Sequence, residues 1–414
     1  MMRTRKSLKS ALSSLFLILG SLANASLALP IDQAITAIAD RLVAEQVKGG
    51  VYVGSWPEES GFTGAIAAGM VEAYKATGQS TYRASAELGG NYILRQSQGN
   101  LYDNEALALT RLSAIAKDPA NNTWRSAVGN FYAAIQNDLE GGTHAYISLY
   151  AGLDPSTVVI YLANHVVAAH YVDAKDKKIW RQGLISWLSH VDDSCVFPVM
   201  ALGAATWALA QTGPLDQTLI DPFGNGASYW NMRRLEDLPE LLLSHQVANG
   251  QPGAGGFYWR FDHGDGGSGE SQSSGYTEDT IFGTLGLIAA SRANPGLNEL
   301  NLASAILSAR EALLDGVSSA GTIWELLSHE GATYYLYAGE MLTVLGELES
   351  FYSQESDVEA SVVGSAVLGK GRPALTCMRS RWGDVELNRV GRAYVADLRF
   401  QSATESIEYA PRVQ

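Results

Sequence analysis

Six times along the chain an acidic cluster opens an Ala- and Gly-rich apolar segment that ends at a turn, and a more polar segment separates each from the next. A repeated unit of this length constrains the fold more than any single motif, because each unit buries its apolar face only against its neighbours. The first apolar segment follows Trp56-Pro57-Glu58-Glu59-Ser60-Gly61-Phe62 and runs from Ala65 to Thr77 before Gly78. The second follows Tyr102-Asp103-Asn104-Glu105 and runs to Lys117, before Asp118-Pro119. The third opens at Asp154-Pro155-Ser156-Thr157, with proline at a favoured first-turn position, and reaches about Val172. The fourth starts at Asp192-Asp193-Ser194 and passes through Ala210 to Gly213-Pro214. The fifth starts at Tyr276-Thr277-Glu278-Asp279 and ends at Ala293, and the sixth runs from Ser328-His329-Glu330-Gly331 to about Leu348.

The intervening segments are Tyr82 to Gln96, Trp124 to Leu139, Lys177 to His190, Leu235 to Gln246 and Leu300 to Leu314. Their apolar residues recur at helical spacing, as in Leu88, Tyr92 and Ile93, and Ile31 to Val47 supplies a sixth. Small-residue helices alternating with amphipathic ones suit concentric packing, since an inner helix touches neighbours all round while an outer one keeps a wet face. The expected architecture is all-α, a closed ring of six helical hairpins.

Segments such as Val71-Glu72-Ala73-Tyr74-Lys75-Ala76-Thr77-Gly78, with Tyr82 and Tyr92-Ile93-Leu94 after them, resemble the repeats of the six-hairpin (α/α)6 toroids of glycoside hydrolases and polysaccharide lyases. Leu242-Leu243-Ser244-His245-Gln246 with Gly255-Gly256-Phe257 and Trp259 is similar to the repeat of terpenoid cyclase and prenyltransferase toroids. Both resemblances are of repeat style, so they imply the toroid more than any one activity.

Two regions break the pattern. A Gly-rich stretch from Gly250 to Gly267 carries aromatic and acidic residues between the fourth and fifth apolar segments, and a long loop of that kind commonly serves a site. The tail from about Glu355 holds seven Arg among residues 371–414 and no Lys beyond Lys370. We expect residues 26–352 to form the toroid and 353–414 an appendage, irregular or a small sheet, without an anchor motif.

Arg3, Arg5, Lys6 and Lys9 precede the apolar run Ala11 to Leu22, and Ala23-Asn24-Ala25 follows with small-x-small spacing. Residues 1–25 therefore read as a secretory signal peptide, which predicts a secreted or periplasmic protein. Its removal takes away those four basic residues and no acidic one, so the formal charge goes from −14 to −18. That balance argues against nucleic acid or an anionic membrane as partner and leaves neutral or cationic ligands open. Cys195 and Cys377 can pair in an oxidising compartment, or Cys195 can pack as a buried thiol.

In a ring of hairpins the inner helices run the same way, so their N-terminal acids gather at one mouth. Glu58, Glu59, Asp103, Glu105, Asp154, Asp192, Asp193, Glu278, Asp279 and Glu330 belong to that set. Hydrolysis of a glycosidic bond needs two carboxyl groups of different pKa, one to protonate the leaving oxygen and one to activate water or attack carbon. Acids at helix N-termini also serve as plain caps, and for each residue that reading stands beside the catalytic one. Glu278 and Asp279 rank first as catalytic candidates, Asp103 and Glu105 second, Asp192 and Asp193 third. Trp56, Tyr102, Trp259 and Tyr276 are candidate sugar platforms or ordinary packing, with His263 and Arg260 as polar contacts beside them. Asp262, His263, Asp265 and Glu270 offer oxygen and nitrogen donors to calcium at spacings unlike an EF-hand, and no other cofactor is expected. His165 and His170, like His144 and His190, read as core histidines.

No G-x-x-x-x-G-K-[ST], H-E-x-x-H, C-x-x-C or G-x-S-x-G sequence occurs, which removes the warrant for phosphoryl transfer, zinc-protease and common serine-hydrolase chemistry. The leading expectation is an exported glycoside hydrolase acting on a neutral or cationic polysaccharide, with Glu278 or Asp279 facing Asp103 or Asp192. A polysaccharide lyase using Tyr276, His263 and Arg260, and a non-catalytic glycan-binding scaffold, are the alternatives. A terpenoid cyclase is more remote, because Val191-Asp192-Asp193-Ser194 only half matches an ionising D-x-D-D pattern.

Overall fold

The computed structural model describes residues 29–57, 60–135, 139–140, 143–144, 152–251, 253–263, 275–294, 299–367, 395–398 and 409–412. Among them are twelve α-helices. In chain order these are α1 (Ile31–Glu45), α2 (Thr63–Thr77), α3 (Ser80–Ser97), α4 (Asp103–Ala114), α5 (Thr123–Ile135) and α6 (Pro155–Tyr171). They continue with α7 (Lys177–Leu188), α8 (Pro198–Thr212), α9 (Leu238–Ser244), α10 (Thr277–Ala293), α11 (Glu299–Asp315) and α12 (Tyr335–Val367). Two short antiparallel ladders pair Leu139–Glu140 with Thr143–His144 and Val395–Leu398 with Tyr409–Arg412.

The even-numbered helices pack in the cyclic order α2, α4, α6, α8, α10, α12 and back to α2, which closes the ring. Composition explains the assignment of layers. Every residue of α8 from Pro198 to Ala210 is buried, whereas α7 buries Trp180, Gly183, Leu184 and Leu188 alone. Alanine and glycine let the inner helices approach: a Cβ on Gly69 of α2 would sit 2.1 Å from the Gly339 carbonyl oxygen of α12. At the α8–α10 crossing a Cβ on Gly203 would meet the Phe282 carbonyl carbon at 2.6 Å. Between the layers, Trp180 packs edge-on to Tyr132 and tilted against His165. His165 is fully buried and shares a 3.0 Å hydrogen bond through Nδ1 with the Tyr132 hydroxyl, the satisfied core histidine expected of it.

Two helix starts differ from expectation. The fourth inner helix begins at Pro198, and Asp192-Asp193-Ser194 forms a turn ahead of it, where the Asp192 carboxylate accepts from the Ser194 backbone N–H at 2.9 Å. The sixth begins at Tyr335 rather than near Ser328, and it continues to Val367, past the expected boundary at residue 352. Isolated antiparallel bridges join Gln246 to Phe257, Phe257 to Tyr276 and Tyr276 to Leu326. These stitch the Gly-rich loop, the start of α10 and the segment before α12 across one face of the ring. Cys195 is buried with Sγ 3.8 Å from the His190 carbonyl oxygen, while Cys377 and residues 1–28 lie outside the described residues. No described helix is long and apolar enough to cross a membrane.

Candidate active site

The inner helices surround a cavity of about 510 Å³ lined by residues from all six of them. Asp103 enters it from the first turn of α4 and Glu278 from the first turn of α10. In the cyclic order these two helices are three places apart, so the two carboxyl groups come from opposite walls. Glu340 of α12 lies on the Glu278 side, and Asn164 of α6 on the Asp103 side. Phe62, Tyr161, Phe197, Trp207, Phe282, Tyr334 and Tyr337 contribute seven aromatic rings to the lining.

Burial governs the electrostatics. Asp103 is 6 % exposed, and loss of hydration pushes its carboxyl up to about 6. The Asn164 Nδ2 group donates to Asp103 Oδ2 at 2.7 Å and opposes that rise by stabilising the anion. Burial pushes Glu278 up to about 7; hydrogen bonding with Glu340 opposes that rise, and the nearby Glu325 carboxylate adds to it. Burial and the Glu278, Glu325 and Glu340 charges also raise the Tyr337 hydroxyl, so it stays neutral and can donate. At the far end Arg111 lines the cavity and pairs with Glu72 at 3.1 Å, which leaves one compensated cation in the floor.

The other candidate acids lie outside this lining. Glu105 turns back to accept the Tyr102 backbone N–H at 3.0 Å, and burial raises its carboxyl to about 7. Asp279 is 3 % exposed on the flank of α10 and is raised well above its ordinary value by burial and by Glu278. Its Oδ1 has no hydrogen-bond partner. Asp154 caps α6 by accepting from the Ser156 N–H at 3.0 Å. Asp193 Oδ1 accepts the Phe261 N–H at 2.6 Å and so clamps the Gly-rich loop. Glu330 is exposed beside Ser328, and Glu58 and Glu59 lie outside the described residues.

The proposed platforms are likewise dispersed. Trp56 is buried in packing, its indole N–H donating to the Leu42 carbonyl at 2.9 Å, and Tyr102 is exposed at the start of α4. Trp259 donates to the Val196 carbonyl and leans on Tyr276, with ring centroids 5.4 Å apart. Arg260 stacks over Trp259 and donates to the Asp193 backbone carbonyl. His263 shares a 2.9 Å hydrogen bond with His245, which in turn meets the Tyr229 hydroxyl at 3.0 Å. Burial lowers His245 to about 3, so this chain of rings is neutral around His245. Of the calcium candidates Asp262 is exposed, Asp265 and Glu270 lie outside the described residues, and no group of three potential metal-binding side chains occurs among the described residues.

Sequence reasoning missed Glu340, Asn164, Tyr161, Trp207 and Arg111. A signal existed for Glu340 and Arg111: each is a charge inside a small-residue inner helix, where desolvation makes an unpartnered charge costly. Misplacing the start of α12 hid Glu340, because a helix beginning near Ser328 draws attention to Glu330 instead.

No protein-family model and no curated protein matches this sequence. Solved structures do. The α-1,6-mannanase of glycoside hydrolase family 76 from Salegentibacter sp. superposes with a TM-score of 0.50 at 12 % identity, covering 77 % of this chain and 100 % of that one. An inactive variant of that enzyme, with two consecutive aspartates replaced by alanine and α-1,6-mannotetrose bound, gives a TM-score of 0.50 at 12 % identity over 78 % and 100 % of the two chains. This chain is an (α/α)6 toroid. The toroid places the N-terminal turns of α4 and α10 at one cavity, and that placement is the basis for a function.

Proposed function

We propose that the protein is an exported glycoside hydrolase that cleaves a neutral or cationic polysaccharide in the central cavity. The observation that carries this reading is the presence of Asp103 and Glu278 on opposite walls of one aromatic-lined cavity. Glycosidic hydrolysis needs that division, a carboxylic acid on the leaving-group side and a carboxylate on the other. Glu278, raised to about 7, keeps a proton near neutrality and delivers it to the glycosidic oxygen as the bond to the anomeric carbon breaks. Asp103, held by the Asn164 N–H group, ionises first and acts at the anomeric carbon, directly or through water. Water supplies the hydroxyl and the proton that complete the two products. The phenol and indole rings of Tyr161, Tyr337 and Trp207 match the apolar faces of sugar rings.

The mannanase neighbour, bound to α-1,6-mannotetrose in its inactive form, makes α-1,6-linked mannan the first polymer to test. The lyase alternative loses support because Tyr276, His263 and Arg260 are absent from the cavity lining and engage one another's neighbours in the Gly-rich loop. Mature protein incubated with neutral, acidic and cationic polysaccharides is expected to produce reducing ends without the ultraviolet absorbance of unsaturated uronates. Glu278→Gln and Asp103→Asn should each lower kcat by about 10²-fold or more, the usual scale for losing a general acid or base. Full activity in both variants would overturn the assignment, and glycan binding without turnover in the parent protein would favour a scaffold.

A further inference from the structure

We infer that the cavity beneath Asp103 and Glu278 receives an alkyl chain joined glycosidically to the sugar between them, so that the substrate is a glycan carrying an apolar aglycone. The walls carry this. Arg111 lines the cavity two turns beyond Asp103 on α4, about 12 Å deeper at the helical rise, and Leu285 stands two turns beyond Glu278 on α10. Leu107, Ile160, Met200, Phe282 and Leu285 line the cavity from four of the inner helices. Polar side chains within it are committed to one another or to backbone. Asn164 donates to Asp103 at 2.7 Å, and Arg111 Nη1 donates to Glu72 at 3.1 Å and to Thr343 at 3.3 Å. The Thr343 hydroxyl in turn donates to the Gly339 carbonyl at 3.2 Å.

A sugar ring lodged between aliphatic walls would leave hydroxyl groups with neither water nor partner, whereas an alkyl chain gains from the same burial. A volume of about 510 Å³ with many apolar wall residues and a few fixed polar groups is the ordinary form of a small-ligand pocket. The entrance has the same character. Phe62, Tyr102, Val196 and Tyr334 stand exposed just ahead of α2, α4, α8 and α12, on the face where the cavity opens. Exposed apolar side chains gathered on one face mark a binding surface, and here they border the route an alkyl chain would take. The chemistry of this inference rests on the glycosidase reading. The bond from the anomeric carbon to the aglycone oxygen breaks, Glu278 gives a proton to that oxygen, and water supplies in net the hydroxyl of the released sugar and the proton of the released alcohol.

Binding and turnover are measured separately. Calorimetry of the mature protein with methyl, butyl and octyl α-D-mannopyranoside, each below any micelle concentration, is expected to show affinity rising along the series. The gain from methyl to octyl should be about 10-fold or more, with a heat-capacity change that grows more negative as the chain lengthens. Leu107→Gln should remove most of the octyl gain and keep methyl binding. Leu107→Phe leaves the wall apolar but takes up space, so the preference should shift from octyl to butyl, an outcome that misfolding does not produce. No octyl binding, equal affinity along the series, or a chain-length gain unaltered in both variants would overturn the inference. Release of octanol from octyl mannoside dispersed in solution, or only from the same glycoside held in phosphatidylcholine vesicles, separates a free amphiphile from one drawn out of a bilayer, and either result supports it. Tight octyl binding in a protein that hydrolyses no glycoside would defeat the glycosidase reading and leave the apolar pocket standing. Hydrolysis of mannan with no response to chain length would do the reverse.

Discussion

At the level of single residues, one chemical type divides into distinct roles according to what it faces. Asp103, Glu105, Asp154 and Glu278 all stand at or beside the starts of inner helices. Asp154 commits its carboxylate to the Ser156 N–H, and Glu105 to the Tyr102 N–H, whereas Asp103 and Glu278 line the cavity. Asp154→Ala should therefore cost about 1 kcal/mol of stability as a lost cap, read in a denaturant titration, with kcat unchanged. A large loss of kcat at full stability would place Asp154 in the chemistry. Asn164→Ala tests the other side of the cavity. It removes the donor that stabilises the Asp103 anion, so the Asp103 carboxyl rises further and the acid limb of kcat/KM should move toward higher pH. An unmoved limb would show that Asn164 does not tune Asp103.

At the level of elements, the inner helices owe their positions to the absence of side chains at their crossings. Gly203 lies against Phe282 and Gly283 of α10, and Gly69 and Gly339 bring α2 and α12 together. At these crossings the approaching atoms belong to the backbone, which cannot rotate away. Gly203→Val and Gly69→Val should each destabilise the protein by about 1–3 kcal/mol or more, the scale of overpacking. Thermal unfolding followed by circular dichroism reads the effect. Gly129 on α5 has open space around its Cβ position, and a helix-interior Gly→Ala there should stabilise modestly, by about 0.5–1 kcal/mol. Equal losses at all three sites would contradict the distinction between inner and outer helices.

At the level of the whole molecule, the ring gathers carboxyl groups that are held above their ordinary range: Asp103, Glu105, Glu278 and Asp279. In the folded state these groups bind protons that the unfolded chain has already released at the same pH. The contribution of these acids to stability therefore falls as pH rises from about 4 to about 7, while His245, lowered to about 3, contributes in the opposite sense. The Tm of the parent protein relative to that of Asp103→Asn should fall as pH rises across that window. A Tm difference between the two proteins that stays constant from pH 4 to 7 would contradict the raised Asp103 carboxyl. The sequence by itself determined the layers, because helical period and residue size decide which helices can be surrounded and which need a wet face. It also marked Asp103 and Glu278, since acids at the starts of inner helices are easily recognised. Tertiary structure alone decided that Asp154 caps, that Asp193 clamps the loop, and that Trp259, Tyr276 and His263 engage one another's surroundings away from the cavity. It alone brought Glu340, Asn164 and Arg111 to the cavity, from helices far apart in the chain. The physical reason is that amphipathic periodicity is a local property, whereas a hydrogen-bond partner across a cavity depends on helix rotation and crossing, which the packing of all six hairpins sets together.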